Sequence, residues 1–259
     1  MSMGSIWTLF AFIFGLVLGS FLNVCIYRIP IKKSIVTPPS SCPHCDRRIK
    51  FYDNIPLLSY AFLLGKCRYC RNSVSLRYPV VELITGLLSV ALFLRYQLSP
   101  EYFLNLAFLL SLVVISFIDI DHKIIPDVLS LPGILIGLAA SIFGLTKAGW
   151  SGALIGIIGG GGFLYLVAVG YEKITGKEGM GGGDIKLLAM IGAWMGWKGL
   201  PFIVFISSLT GTLIGGGALI LSKRGYRARI PFGPFLALGA LIYFFFGNEL
   251  VSWYFNLLR

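Results

Sequence analysis

The sequence predicts an all-α polytopic membrane protein with about eight transmembrane helices and a cytoplasmic zinc-bound insertion after the first. Three observations predict it. Hydrophobic residues make up 56% of the chain and charged residues only 13%, where a soluble domain carries about 25% charge. Eight apolar stretches recur, at 5–27, 78–97, 102–118, 128–146, 150–171, 185–197, 201–221 and 232–257. Most approach the ~20 residues that cross a ~30 Å hydrocarbon core. Finally, if the stretches alternate sides, 18 of the 22 Lys and Arg fall on one side and four on the other. The positive-inside rule puts the rich side in the cytoplasm and the N-terminus outside. The net charge of +11 then reflects topology and a lipid bilayer partner, not nucleic acid.

The first stretch, within residues 1–29, lacks a basic n-region and a small-residue cleavage site, so it reads as a helix rather than a signal peptide. Cys25 inside it reads as a packed, inert thiol. Residues 30–76 form the soluble insertion. With Arg77 it holds nine of the 22 basic residues, and it holds four of the five cysteines. It is too small to bury a core unaided. Cys42-Pro43-His44-Cys45 and Cys67-Arg68-Tyr69-Cys70, separated by 21 residues, match a four-thiolate structural zinc site. His44 reads as a loop residue, since four thiolates complete a tetrahedron. The apolar run 55–65 is too short to span and is expected to pack the insertion against the membrane face.

Residues 77–259 form the remaining membrane domain. Glu82 lies about one and a half turns into the second helix, where a carboxylate is costly. It is expected to receive a cation, either a substrate amine or Arg77, or to snorkel to the interface. Asp119 closes the third stretch. Asp121 and His122 are expected in the turn after it, and Asp127 as the N-cap of the next helix. Gly156 and Gly159–Gly162 in the fifth stretch read as a packing face. Gly181-Gly182-Gly183-Asp184 precedes the sixth stretch. Its glycines let an extended backbone come close to an acid, in position to hold a substrate by strand addition. The alternative is a flexible linker with Asp184 as an N-cap. From Asp184 to Trp197 is 14 residues, about 21 Å of helix, short of a full crossing. Asp184 is therefore expected below the membrane plane. If Asp119 lies nearby, the two carboxylates share a proton, one to activate water and one to polarise a carbonyl.

These motifs together resemble the type IV prepilin peptidases, bifunctional leader peptidases and N-methyltransferases. The resemblance spans nearly the whole chain: Gly19-Ser20-Phe21-Leu22-Asn23-Val24 with Tyr27-Arg28, the cysteine knuckles, and Arg77-Tyr78-Pro79 with Glu82. It continues through Asp119-Ile120-Asp121-His122 to Ile125-Pro126-Asp127, Gly181–Asp184 with Lys186-Leu187-Leu188-Ala189, and Pro231-Phe232-Gly233-Pro234-Phe235. It implies an intramembrane aspartic protease of the Gly-x-Gly-Asp type with Asp119 and Asp184 as the catalytic pair and Asp121 as competitor for the first position. Gly181, Gly183, Lys186, Glu82 and Asp121 are the supporting candidates, with Glu178 another acid for a basic leader. The middle glycine, Gly182, is expected to make the loop more mobile. The implied substrates are prepilins or pseudopilins cut after a Gly. The implied methyl donor is S-adenosylmethionine, with Glu82 a candidate to orient the amine.

Other readings remain open on the residues alone. They are a peptidase without methyl transfer, a glycine-rich transporter with its acids at a cation site, and a zinc hydrolase. The last needs an open coordination position that four thiolates do not leave.

Overall fold

The computed structural model describes residues 3–176, 179–217 and 231–257. It divides into two compact units, Met1–Val114 and Ile115–Arg259. The described residues are helical apart from loops and two isolated antiparallel bridges, Ser41 with Arg48 and Lys66 with Ser73. Long helices coincide with the apolar stretches: α1 Met3–Arg28, α3 Arg77–Tyr96, α4 Pro100–His122, α5 Asp127–Ile142 and α6 Gly149–Thr175. After them come α7 Gly182–Met195, α8 Leu200–Thr210, continued by a π-helical turn Gly211–Gly216, and α9 Gly233–Leu257. The short α2, Leu58–Phe62, lies in the insertion. Among the described residues, five helical segments are long and apolar enough to cross a membrane. These are Gly4–Arg28, Arg77–Tyr96, Pro100–His122, Gly149–Thr175 and Trp197–Gly215. Asp127–Ile142 and Gly233–Gly247 are shorter apolar helices.

In the first unit, α1 and α3 run antiparallel. A Cβ on Gly15 would lie 2.6 Å from the Thr85 carbonyl, and one on Gly19 would lie 2.7 Å from the Glu82 Cα. Small residues thus let the two backbones approach, the usual contact where lipid offers no hydrophobic drive. The outer face of α1 leaves Ile6, Phe10, Ile13, Val17 and Phe21 exposed, a stripe suited to acyl chains. A buried serine pairs across this contact. Ser89 Oγ donates to the Ala11 carbonyl at 2.6 Å, and lies 2.7 Å from the Tyr102 hydroxyl.

In the second unit, α7 is the hub. Its Leu187–Trp194 are all buried. It runs antiparallel to α6, where Gly156 meets the Gly192 backbone and a Cβ on Gly160 would lie 2.7 Å from the Leu188 carbonyl. Those two glycines are the close contacts on the expected packing face, while Gly162 has nothing within 4 Å. The α5 helix runs parallel to α7. Trp194 Nε1 donates to the Gly133 carbonyl at 2.8 Å, and Ser141 Oγ to the Ala193 carbonyl at 3.1 Å. The α9 helix returns antiparallel along α8, where Ser207 Oγ donates to the Phe235 carbonyl at 3.0 Å.

Candidate catalytic and metal sites

Both candidate acids sit where a helix ends against another chain segment. The α4 helix runs through Asp121 and His122, so these are not in a turn as expected. It stops at Lys123, whose φ of 57° is left-handed and whose N–H donates to the Asp119 carbonyl at 2.9 Å. That helix-terminating residue turns the chain back immediately beside Asp119. Asp119 is buried, and its Oδ2 accepts the Gly233 N–H at 2.9 Å from the start of α9. A Cβ on Gly233 would lie 2.8 Å from that oxygen. A side chain there displaces the carboxylate. Gly233 lies in the Pro231–Phe235 motif, to which reasoning from sequence gave no role beside Asp119. The available signal was a glycine between two prolines at the start of the last apolar stretch.

Asp184 is half-buried. The helix begins at Gly182, two residues before the expected start, with Gly181 extended at φ −74°, ψ 140° as its N-cap. Asp184 is therefore the third helical residue rather than an N-cap. Its N–H donates to the Gly181 carbonyl at 3.1 Å, and its carboxylate stands at the acid position of a capping box, where the Gly181 N–H acts on it. Gly183 packs on the link that follows α4: a Cβ would lie 2.8 Å from Ile125 Cβ. Gly182 is exposed with nothing within 4 Å. The charge of Asp119 acts on Asp184. Asp121 is exposed. At about 100° per residue, it lies some 200° around the helix from Asp119.

Asp127 does not cap α5. Pro126, whose side chain has no hydrogen-bonding group, is the N-cap residue, and Asp127 already lies in the first turn. Its Oδ1 instead accepts from Lys186 Nζ at 2.7 Å, with both side chains well exposed. This pair aligns the starts of the parallel α5 and α7. Glu178 and the basic residues of 223–229 lie outside the described residues.

In the first unit, Glu82 is buried and its Oε2 accepts the Leu57 N–H of the insertion at 2.9 Å. Arg28, also buried, donates to the carbonyls of Ser34 at 2.9 Å and Pro38 at 2.6 Å.

The four thiols of Cys42, Cys45, Cys67 and Cys70 lie within 4.8 Å of one another. Their knuckles are two copies of one turn. The N–H groups of Cys42 and Cys67 donate to the carbonyls of Arg47 and Asn72 at 3.0 and 2.9 Å. The residues after the second cysteines, Asp46 and Arg71, are both left-handed at φ 53° and 60°. The Cys42 and Cys70 sulfurs are 3.8 Å apart, matching the ~3.8 Å edge of a tetrahedron with metal–sulfur bonds of about 2.3 Å. The cluster fits a closed, structural metal site. The backbone N–H groups of Cys70 and Tyr69 pull the Cys67 thiol down to about 6. For Cys45, the Arg47 N–H opposes the shift, but desolvation and hydrogen bonding among the thiols push it up to about 11. Cys67 is thus the ready anion of the set. His44 is exposed and outside the cluster, and Cys25 is buried. The Arg68 guanidinium binds both Asp53 oxygens at 2.9 Å, tying the second knuckle to the 3-10 turn at Phe51–Asn54.

Comparison with known proteins separates the same two regions. Residues 13–96 match the profile of the bacterial peptidase A24 N-terminal domain, and residues 106–216 that of the type IV leader peptidase family. A prepilin leader peptidase/N-methyltransferase of Aeromonas hydrophila is 39% identical over 94% of this chain and 92% of the relative. Its counterpart in Stutzerimonas stutzeri is 39% identical over 96% and 94%, and that of Pseudomonas aeruginosa 39% over 93% and 90%. No solved structure matches. These relatives, aligned over nearly their whole length, establish that the chain belongs to the type IV leader peptidase family.

Proposed function

We propose that this chain is an inner-membrane aspartic endopeptidase that removes the short basic leader of type IV prepilins or pseudopilins after a Gly and then methylates the new N-terminal amine. Prepilin cleavage and N-methylation are the activities in the names of its relatives. The observation that carries the catalytic assignment is the buried Asp119, aimed by the Gly233 N–H and electrostatically coupled to Asp184.

Two carboxylates in one partly buried site hold one proton between them. The ionised partner removes a proton from water, and the oxygen attacks the scissile carbonyl carbon. The protonated partner donates its hydrogen bond to the carbonyl oxygen as charge develops there. Collapse of the tetrahedral intermediate breaks the C–N bond, and a carboxyl proton passes to the leaving amine. The products are a leader ending in a carboxylate and a mature chain with a free amine. The extended backbone before Gly182 is exposed and offers an edge for a substrate strand beside Asp184. With the basic connections in the cytoplasm, both acids face that side, where a basic leader on a membrane-anchored substrate presents its cleavage point.

S-adenosylmethionine supplies an electrophilic methyl group when bound. The amine that accepts it has to be neutral. The four cysteines hold zinc in a structural role.

The test is incubation with a prepilin, comparing the wild type with Asp119→Asn, Asp184→Asn and Asp121→Asn. Cleavage falls about 10²- to 10⁴-fold in the first two and stays near wild type in the third. Loss in Asp121→Asn with full activity in Asp119→Asn overturns the pairing. Mass spectrometry of the product, seeking one added methyl group, tests the second activity.

A further inference from the structure

We infer that the apolar ridge of the insertion, formed by Leu58, Phe62, Leu64 and Phe51, is an anchor seated in the headgroup region of an anionic bilayer. The insertion is not a membrane-spanning element, yet it exposes large apolar side chains. Phe51 is 87% exposed, Phe62 84% and Leu64 83%. Leu58 and Phe62 are one turn apart on α2 and share a face. The turn carrying Phe51 packs against the same short helix.

The Glu82 bond fixes the depth of this ridge. Glu82 lies five residues beyond Arg77, the first residue of a candidate span, or about 7 Å along the axis. Its carboxylate holds the Leu57 N–H at 2.9 Å, and α2 starts at the next residue. The insertion is therefore pinned at a level just inside the end of a spanning helix. That matches the roughly 5–10 Å at which interfacial helices bury their apolar faces. Arg28, at the end of the α1 span, holds the Ser34 and Pro38 carbonyls, so the insertion is tied at both span ends.

Charge selects the kind of surface. Residues 30–76 carry eight Lys and Arg against two Asp. A basic module with exposed Phe and Leu suits phosphate-bearing headgroups over acyl chains. A second copy of this chain, with its net charge of +11, offers no such charge match.

The experiment places benzoylphenylalanine at Phe62 in the full chain, reconstituted in phosphatidylglycerol–phosphatidylethanolamine vesicles. His44, exposed in the first knuckle, carries the same probe as control. Irradiation is expected to give an adduct of one phospholipid mass at position 62, at least about fivefold above position 44. The yield drops several-fold in phosphatidylcholine vesicles. It also drops with Glu82→Ala but survives Glu82→Gln, whose amide oxygen still accepts the Leu57 N–H. Cross-linking of position 62 to a second copy or to added prepilin in place of lipid overturns the anchor. So does equal lipid labelling at both positions, or no adduct at position 62. The lipid adduct requires no catalysis, so a chain that failed to process prepilin would still report it.

Discussion

Gly233→Ala tests the electrostatic core of the site with a single methyl group. The added Cβ would stand 2.8 Å from Asp119 Oδ2, about 0.6 Å inside ordinary contact. Backbone cannot yield easily at the start of α9, so the Asp119 side chain rotates away and its 2.9 Å bond to the Gly233 N–H is lost. A hydrogen bond to a charged group is worth about 1.5–3 kcal/mol, and each 1.4 kcal/mol is tenfold in rate. The cleavage rate constant is therefore expected to fall roughly 10- to 150-fold. The assay is single-turnover cleavage of a prepilin in detergent, with membrane yield and Tm measured in parallel. Gly182→Ala is the matched control, since its Cβ meets nothing within 4 Å. It should stay within about twofold of wild type. Full activity in Gly233→Ala, with an unchanged Tm, refutes the claim that this amide aims Asp119.

Three further outcomes follow from the packing and the charges. Gly160→Val forces side-chain carbons into the Leu188 carbonyl and should destabilise the second unit by about 1–3 kcal/mol, read as a lower Tm in detergent. Lys186→Ala breaks an exposed ion pair with Asp127, worth under about 1 kcal/mol, so cleavage should change only a few-fold and the difference should vanish in high salt. Zinc binding to the metal-free protein at pH 7 should release fewer than four protons, measured by calorimetry in buffers of different ionisation enthalpy. Cys67, held down to about 6, is already a thiolate there, whereas Cys45, pushed up to about 11, has to lose its proton. Because the Cys67 shift is downward, its contribution to metal affinity is present at neutral pH and fades as pH falls through about 6.

Much of the architecture is legible in the sequence because the bilayer constrains it so tightly. Lengths of apolar sequence translate directly into helices, and the described helices lie on the apolar stretches to within a few residues. The cysteine cluster was equally legible, since the spacing of two short knuckles largely dictates its own geometry. Where local rules competed, the outcome was harder to read. Asp127 has the composition and setting of an N-cap, yet it lies one residue inside α5 and pairs with Lys186, 59 positions away. Asp184 has an equal claim, by composition, to cap its helix from outside. The two glycines before it entered the helix instead and made it the reciprocal acid at the third position.

Sequence by itself determined the hydrophobic pattern, the four-thiol module and the presence of costly acids at helix ends. These are local properties, carried by residue type and by spacing along the chain. Only the tertiary structure decided which partners those acids take. Asp119 is aimed by an amide 114 positions later, and Glu82 spends its carboxylate on the Leu57 amide, 25 positions earlier. Backbone N–H groups are chemically alike in every residue, so nothing in a sequence marks the one that a distant fold will present to a buried carboxylate.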